Sequence, residues 1–294
     1  MPNARRLRLS LLSILLAGFH VMGYTAPGTP QDPMFSGGEA YERFMGKWSR
    51  EMAPQLVRFA GVKDGESVLD VGSGTGALSA AIAAVAPSSR ITGIDPAAPY
   101  VAFAQARHGG DKVTFEVGDA QRLRFAERSF DRVLSMLVLN FIPDRGKALN
   151  EMIRVTRPAG VVAAAVWDYG EGMQFLRVFW DEVVAQNPAA DKKDERHMPV
   201  CRKGELAAMW REHGMQEVEE TALTIPTRFT SFDDYWSRFL EKQGPAGAYV
   251  AALSENDREQ LRQRLRARLV GTGADRPLDL TARAWAVRGT VATR

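Results

Sequence analysis

The stretch Val68-Leu69-Asp70-Val71-Gly72-Ser73-Gly74-Thr75-Gly76 sets a carboxylate ahead of three glycines at alternate positions, with small residues between them. Glycines accept tight or left-handed turns and let backbone approach a ligand where a Cβ would intrude. A helix expected from Ala77 adds free N–H groups. Asp70 supplies negative charge beside the loop, which suits a ligand with cationic groups better than a pyrophosphate. The spacing alone leaves both open, because Gly72, Gly74 and Ala77 also satisfy the dinucleotide pattern G-x-G-x-x-G/A.

Two more acids follow at strand-like ends. Ile91-Thr92-Gly93-Ile94-Asp95 closes on a carboxylate about 20 residues past the glycines, the distance at which an acid accepts hydrogen bonds from a ribose diol. Phe115-Glu116-Val117-Gly118-Asp119-Ala120 ends on another, able to accept from an adenine amino group. Ser129-Phe130-Asp131-Arg132-Val133-Leu134 then enters a strand beside the same site.

The elements that must hold these residues alternate. Short β-rich apolar runs at Val68 to Val71, Ile91 to Ile94, Val113 to Val117, Arg132 to Met136 and Val161 to Val166 read as buried parallel strands. Helices are expected from Ala77 to Val85, Pro99 to Arg107 and Arg145 to Val155. The rhythm predicts a doubly wound α/β sheet with ligands at the C-terminal ends of its strands. After Val166 come a helix from Met173 to Val184, a polar charged loop from Asn187 to His197 and a helix from Lys203 to Arg211. Strands are expected from Glu217 to Thr227 and Leu278 to Arg288. An aromatic stretch (Phe232, Tyr235, Trp236, Phe239) and a helix opening at Ser254, with Asp257 as its capping partner, stand between those strands.

In this order of signals the chain resembles the class I S-adenosylmethionine (SAM)-dependent methyltransferases, particularly the type 11 group with the ubiquinone and menaquinone biosynthesis enzymes. The family's D-x-G-x-G-x-G matches Asp70, Gly72, Gly74 and Gly76, its ribose acid Asp95, and its adenine acid Asp119 with Ala120. Leu139-Asn140-Phe141-Ile142-Pro143-Asp144 falls at its fourth-strand loop, and Arg157-Pro158-Ala159-Gly160 resembles its turn before the fifth strand. The resemblance spans about Tyr41 to Val166. It implies a Rossmann-like seven-stranded sheet, mostly parallel with a C-terminal antiparallel hairpin and helices on both faces. It implies cofactor contacts at Asp70, Gly72, Ser73, Gly74, Gly76, Asp95, Pro96, Asp119, Ala120 and Leu137, and methyl transfer to a small acceptor. The alternatives are an NAD(P)-dependent oxidoreductase and a SAM-binding protein without catalysis. The closing strands and Asp119 favour the methyltransferase.

Acceptor contacts are expected from Asn140, Trp167, Tyr235 and Trp236, with Asp168 a candidate base. In-line displacement of a neutral thioether requires orientation before it requires a base. Asn140-Phe141-Ile142-Pro143 lacks the adjacent prolines of an N-P-P-Y amine-holding loop. Phe232 to Phe239, hinged at Gly244 and Gly247, is expected to form a lid. Tyr41, Phe44 and Trp48 lie on an expected helix that would close over the cofactor or simply pack.

Composition excludes several classes. The net charge is +3, of which Arg5, Arg6 and Arg8 against Asp32 carry two, so the body has no basic excess for nucleic acid. Arg258, Arg262, Arg264, Arg266 and Arg268 back onto Leu261, Leu265 and Leu269 and read as a solvated helix face. Cys201 and scattered His20, His108, His197 and His213 offer no metal spacing, and Cys201 reads as a structural thiol. Residues 1–33 look like a secretory signal, with Arg5, Arg6 and Arg8 before an apolar run from Leu9 to Tyr24. The run is short for a membrane span, lacks an A-x-A site, and precedes a Pro/Gly-rich stretch and Met34. The expectation is therefore an over-called leader, a methyltransferase domain over 34–294 (core 41–167, substrate-side elements 168–294) and a cytoplasmic protein. The rival is export or anchoring through residues 1–26.

Overall fold

The computed structural model describes residues 37–293; the leader and Met34 lie outside them. Its centre is a seven-stranded sheet in the order β3-β2-β1-β4-β5-β7-β6. The strands are β1 (Ser67–Val71), β2 (Arg90–Asp95), β3 (Val113–Val117), β4 (Phe130–Met136), β5 (Thr156–Trp167), β6 (Gln216–Phe229) and β7 (Leu278–Thr290). The first five run parallel. β7 lies antiparallel between β5 and β6. The expected mostly parallel sheet with an antiparallel closing pair is the sheet observed.

Val68, Leu69, Val71, Val133, Leu134 and Ala163 to Val166 are almost wholly buried because helices cover both faces, which is why these strands are continuous apolar runs rather than alternating ones. The covering helices are α1 (Gly38–Tyr41) and α2 (Lys47–Ala60), joined by a π turn over Glu42–Gly46, then α3 (Ala77–Val85), α4 (Ala98–His108) and α5 (Arg145–Val155). α6 (Gln174–Gln186) and α7 (Glu205–Glu212) follow β5. Three helices, α8 (Phe232–Leu240), α9 (Gly244–Ala251) and α10 (Glu255–Leu269), are inserted between β6 and β7. Ser254 caps α10, its Oγ accepting from Asp257 N at 3.2 Å.

From β1 the chain winds outward to β2 and β3, then returns to place β4 on the other flank of β1. The loops after β1 and β4 therefore part in opposite directions and open a crevice at the strand ends.

Two segments differ from expectation. Asn187 to His197 is not a solvated loop but two 3-10 turns, Pro188–Lys193 and Glu195–His197, with Asp194 and Glu195 buried. Asp194 can be buried because Arg177 reaches it from α6 with three contacts of 2.8 to 2.9 Å. The aromatic stretch on α8 is core: Phe239 stacks on Phe175 and Phe179 at 4.7 and 4.3 Å, and Phe232, Tyr235 and Trp236 are buried. The arginines of α10 meet acids of neighbouring helices, Arg262 with Asp233, Arg264 with Glu182, and Arg268 with Asp181 and Glu182. Leu261 and Leu265 are buried beneath them.

Candidate functional site

A cavity of about 290 Å³ occupies the crevice. Its first wall is the glycine loop. Gly72, Gly74 and Gly76 have φ of +75°, +51° and +89°, conformations that a side chain resists. The amides of Gly72 and Ser73 both donate to Ile94 O at 2.8 Å, stitching the loop to β2. A Cβ on Gly72 would stand 2.5 Å from Val138 Cγ1, so this glycine is required by the β4 loop opposite. At Gly74 a Cβ would meet no protein atom within 4 Å, only the open cavity that a ligand needs. Gly76 does not line the cavity; it starts α3, where a Cβ would strike His108.

Asp70 is buried below this loop. Its Oδ2 accepts from Ser79 N and Ser79 Oγ at 3.1 and 2.7 Å, placing the carboxylate at the start of α3. Its Oδ1 is buried without a partner among the described residues, an arrangement that suits a donor or cation from a ligand. Burial pushes the carboxyl up to about 7, with Asp95 adding to the rise and the Ser79 bonds opposing it. Ser73 Oγ, also on the cavity wall, is a second buried atom without a partner among the described residues.

Asp95 ends β2 with both oxygens engaged, Oδ2 by Gly74 N and Oδ1 by Ala97 N, each at 2.9 Å. Burial raises it to about 6 against these two bonds. Each oxygen keeps further acceptor capacity. Asp119 is exposed at the rim, accepting from Gln121 N at 2.8 Å. Pro96, Ala120 and Leu137 line the cavity, Leu137 with a strained φ of +64° held by its amide on Ala165 O at 2.7 Å.

The N-terminal helices form the second wall. Tyr41, Phe44 and Met45 line the cavity, while Trp48 packs into the core against Phe175 and Phe229. Thr75 Oγ1 donates to Glu42 Oε1 at 2.7 Å, fastening the π turn to the glycine loop. Sequence periodicity alone could not divide these aromatics between site and core.

On the far side lie Phe141, Ile142, Trp167, Tyr169, Glu195 and Gln243. Of the expected acceptor contacts, Trp167 is there. Asn140 is buried beside the cavity with Nδ2 on Met198 Sδ at 3.2 Å. Tyr235 and Trp236 are outside it, the Tyr235 hydroxyl donating to Phe175 O at 3.0 Å. Asp168 is also outside, held by Arg283 Nε at 2.8 Å and by Glu171 N at 3.0 Å. Cys201 is buried, and burial pushes its thiol up, away from the thiolate. Glu195 and Gln243 escaped the sequence reading, for one lies in a charged run and the other in a helix linker, and neither has a spacing signal.

Among the described residues no lysine, arginine or histidine lines the cavity, whereas Asp70, Asp95, Asp119 and Glu195 do. Such a wall favours a cationic or neutral ligand over a pyrophosphate. Among the described residues no group of His, Cys, Asp and Glu could hold a metal ion, and no helix is long and apolar enough to cross a membrane.

Residues 69–164 match the family model described as a methyltransferase domain. The chain is 36% identical over 119 residues to the ubiquinone/menaquinone biosynthesis C-methyltransferase of Bdellovibrio bacteriovorus, covering 40% of this chain and 50% of that one. It is 34% identical over 160 residues to an O-methyltransferase of Aspergillus sclerotiorum, covering 53% and 56%. The chain spans about half the length of these curated relatives. Its fold is similar to that of Haemonchus contortus phosphoethanolamine N-methyltransferase 2 in complex with S-adenosyl-L-methionine, at TM-score 0.53, 21% identity, 87% of this chain and 57% of that one.

Proposed function

We propose that this chain, whose residues 69–164 match a methyltransferase domain, transfers a methyl group from SAM to a small-molecule acceptor bound on the Trp167 side of the cavity. The observation that carries the reading is the orphaned Asp70 Oδ1 beneath a glycine loop whose middle residue, Gly74, faces open space. Asp70, Gly72, Ser73 and Gly74 would hold the methionine end of SAM, Asp95 its ribose, and Asp119 with Ala120 its adenine. When bound there, SAM supplies an electrophilic methyl on a sulfonium with a neutral leaving group.

The chain's own contribution is orientation and exclusion of water. Phe44, Met45, Phe141, Ile142, Trp167 and Tyr169 give the acceptor an apolar seat, and the fastened π turn covers the cofactor side. Acidic walls and the absence of lining cations among the described residues speak against NAD(P) and against phosphorylated acceptors. Titration calorimetry with SAM, S-adenosylhomocysteine and NAD(P) tests the cofactor, and methyl transfer across a metabolite panel tests catalysis. Binding of NAD(P) in preference to SAM would overturn the reading; SAM binding without transfer to any acceptor would leave a non-catalytic binder.

A further inference from the structure

Among the described residues Glu195 is the one carboxylate on the acceptor side of the cavity, where Trp167, Tyr169 and Phe141 are its fellow lining residues. It is 4% exposed. Its Oε2 accepts from Trp180 Nε1 at 2.6 Å, and its Oε1 has no hydrogen-bond partner among the described residues. The turn that carries it is fastened to α6. The neighbouring Asp194 is gripped by Arg177 from α6 and by Arg196 Nε at 2.6 Å, and its Oδ1 also accepts from Arg196 N at 2.9 Å. Asp194 thereby takes up the nearby positive charge, and Glu195 is left with an indole N–H in place of a cation.

The charged and titratable groups facing Glu195 are Asp194 on its own turn, Arg177 on α6, Tyr169 after β5, and Cys201. Burial dominates and pushes the carboxyl up to about 7; Trp180 and Arg177 oppose the rise and Asp194 adds to it. A carboxyl titrating near neutrality, with one oxygen uncommitted, is matched to accepting a proton.

We infer that Glu195 is a catalytic base that takes the proton from an aromatic hydroxyl acceptor seated against Phe141, Trp167 and Tyr169. The inference rests on the methyl-transfer reading above. The ring suits aromatic walls, and a lining without cations among the described residues leaves carboxylate or phosphate acceptors unmatched. As the hydroxyl O–H bond breaks, the proton passes to Glu195 Oε1, making a carboxylic acid. The bonding pair stays on oxygen, which bonds to the methyl carbon, and the pair of the breaking C–S bond goes to sulfur as a neutral thioether. Release of the aryl methyl ether lets Glu195 return the proton to water.

The test uses the full chain, SAM and a series of para-substituted phenols from weakly acidic 4-methoxyphenol to readily ionised 4-nitrophenol. Glu195→Gln should bind S-adenosylhomocysteine as the wild type does, lose about 100-fold or more in kcat/KM on 4-methoxyphenol, and lose little on 4-nitrophenol, which arrives ionised. The wild-type profile on 4-methoxyphenol should rise through about pH 7 to a plateau, and that rise should vanish in the variant. Independently of turnover, the indole emission of Trp180 should change with a midpoint near pH 7 in the wild type and not in Glu195→Gln. Normal S-adenosylhomocysteine binding with equal losses on every phenol, with no loss, or with no phenol methylated overturns the role of Glu195. Failure of the wild type to bind SAM or its product overturns the proposed function itself.

Discussion

The carboxylate of Asp95 receives the amide of Gly74 at 2.9 Å, so the acid ending the second strand holds the middle of the glycine loop that follows the first. The two residues belong to one site because β1 and β2 are adjacent, with Val71 opposite Ile94. Asp95 thus shapes the loop as well as offering its own oxygens to a ribose.

Asp95→Ala should weaken S-adenosylhomocysteine binding by about 2 kcal/mol or more, roughly thirty-fold, through loss of hydrogen bonds to a charged acceptor and of the loop's anchor. Titration calorimetry checks this. Unchanged affinity with an unchanged unfolding temperature would remove Asp95 from the cofactor site.

Asp70 gives a proton-linked signature. Its folded pKa of about 7 lies above the ordinary 3.8, so the free protein favours its protonated form. The resulting stability is present below about pH 4 and is lost as pH rises through about 7. A cationic ligand beside Oδ1 draws the pKa back down, so SAM binding near pH 6.5 should release protons. Calorimetry in buffers of different ionisation enthalpy measures the release, and Asp70→Asn should diminish it. Binding heats independent of the buffer would contradict a cation at Asp70.

Gly72→Ala should destabilise the chain by about 2 kcal/mol, from a left-handed φ and a Cβ driven against Val138. Thermal unfolding of the ligand-free protein reads it. Adding Val138→Ala should recover part of the loss, and an absence of coupling between the two substitutions would contradict this packing.

Asp194→Ala should cost about 3 to 5 kcal/mol, because Arg177 would be left buried without its partner. Denaturant unfolding measures the loss. Replacing both residues by apolar ones of similar size should cost much less, and equal costs would argue against an uncompensated charge.

Phe239→Ala should cost about 3 to 5 kcal/mol, since its ring stacks between Phe175 and Phe179 in the core. Amide exchange on α8 should be as slow as in the central strands. Fast exchange there, suppressed by ligand, would restore α8 as a mobile lid.

The strands, the helices of the first half and the cofactor-side acids could be foreseen from residue order because each signal is local. A buried parallel strand must be apolar, a sharp turn at a ligand must be glycine, and both are written within a few residues, as in Val68 to Gly76. α3 and α5 fall on the residues expected, Ala77–Val85 and Arg145–Val155. The acceptor side could not be foreseen in the same way. Tyr235 and Trp236 look like a site by composition, yet tertiary packing turns them into the core, Tyr235 against Phe175 and Trp236 against Phe239. Asp168 looks like a base at a strand end, yet Arg283, distant in sequence, occupies it.

By itself, the order of residues determined a doubly wound sheet and a loop built for a ligand, since strand apolarity, glycine conformation and strand-end acids follow from short-range geometry. Only the tertiary structure decided that Asp95 secures Gly74, that Tyr41 and Phe44 wall the cavity while Trp48 does not, and that Glu195 faces it. Those outcomes depend on how buried charges are partnered across the fold, and Asp194, by pairing with Arg177, leaves Glu195 with the Trp180 indole N–H in place of a cation.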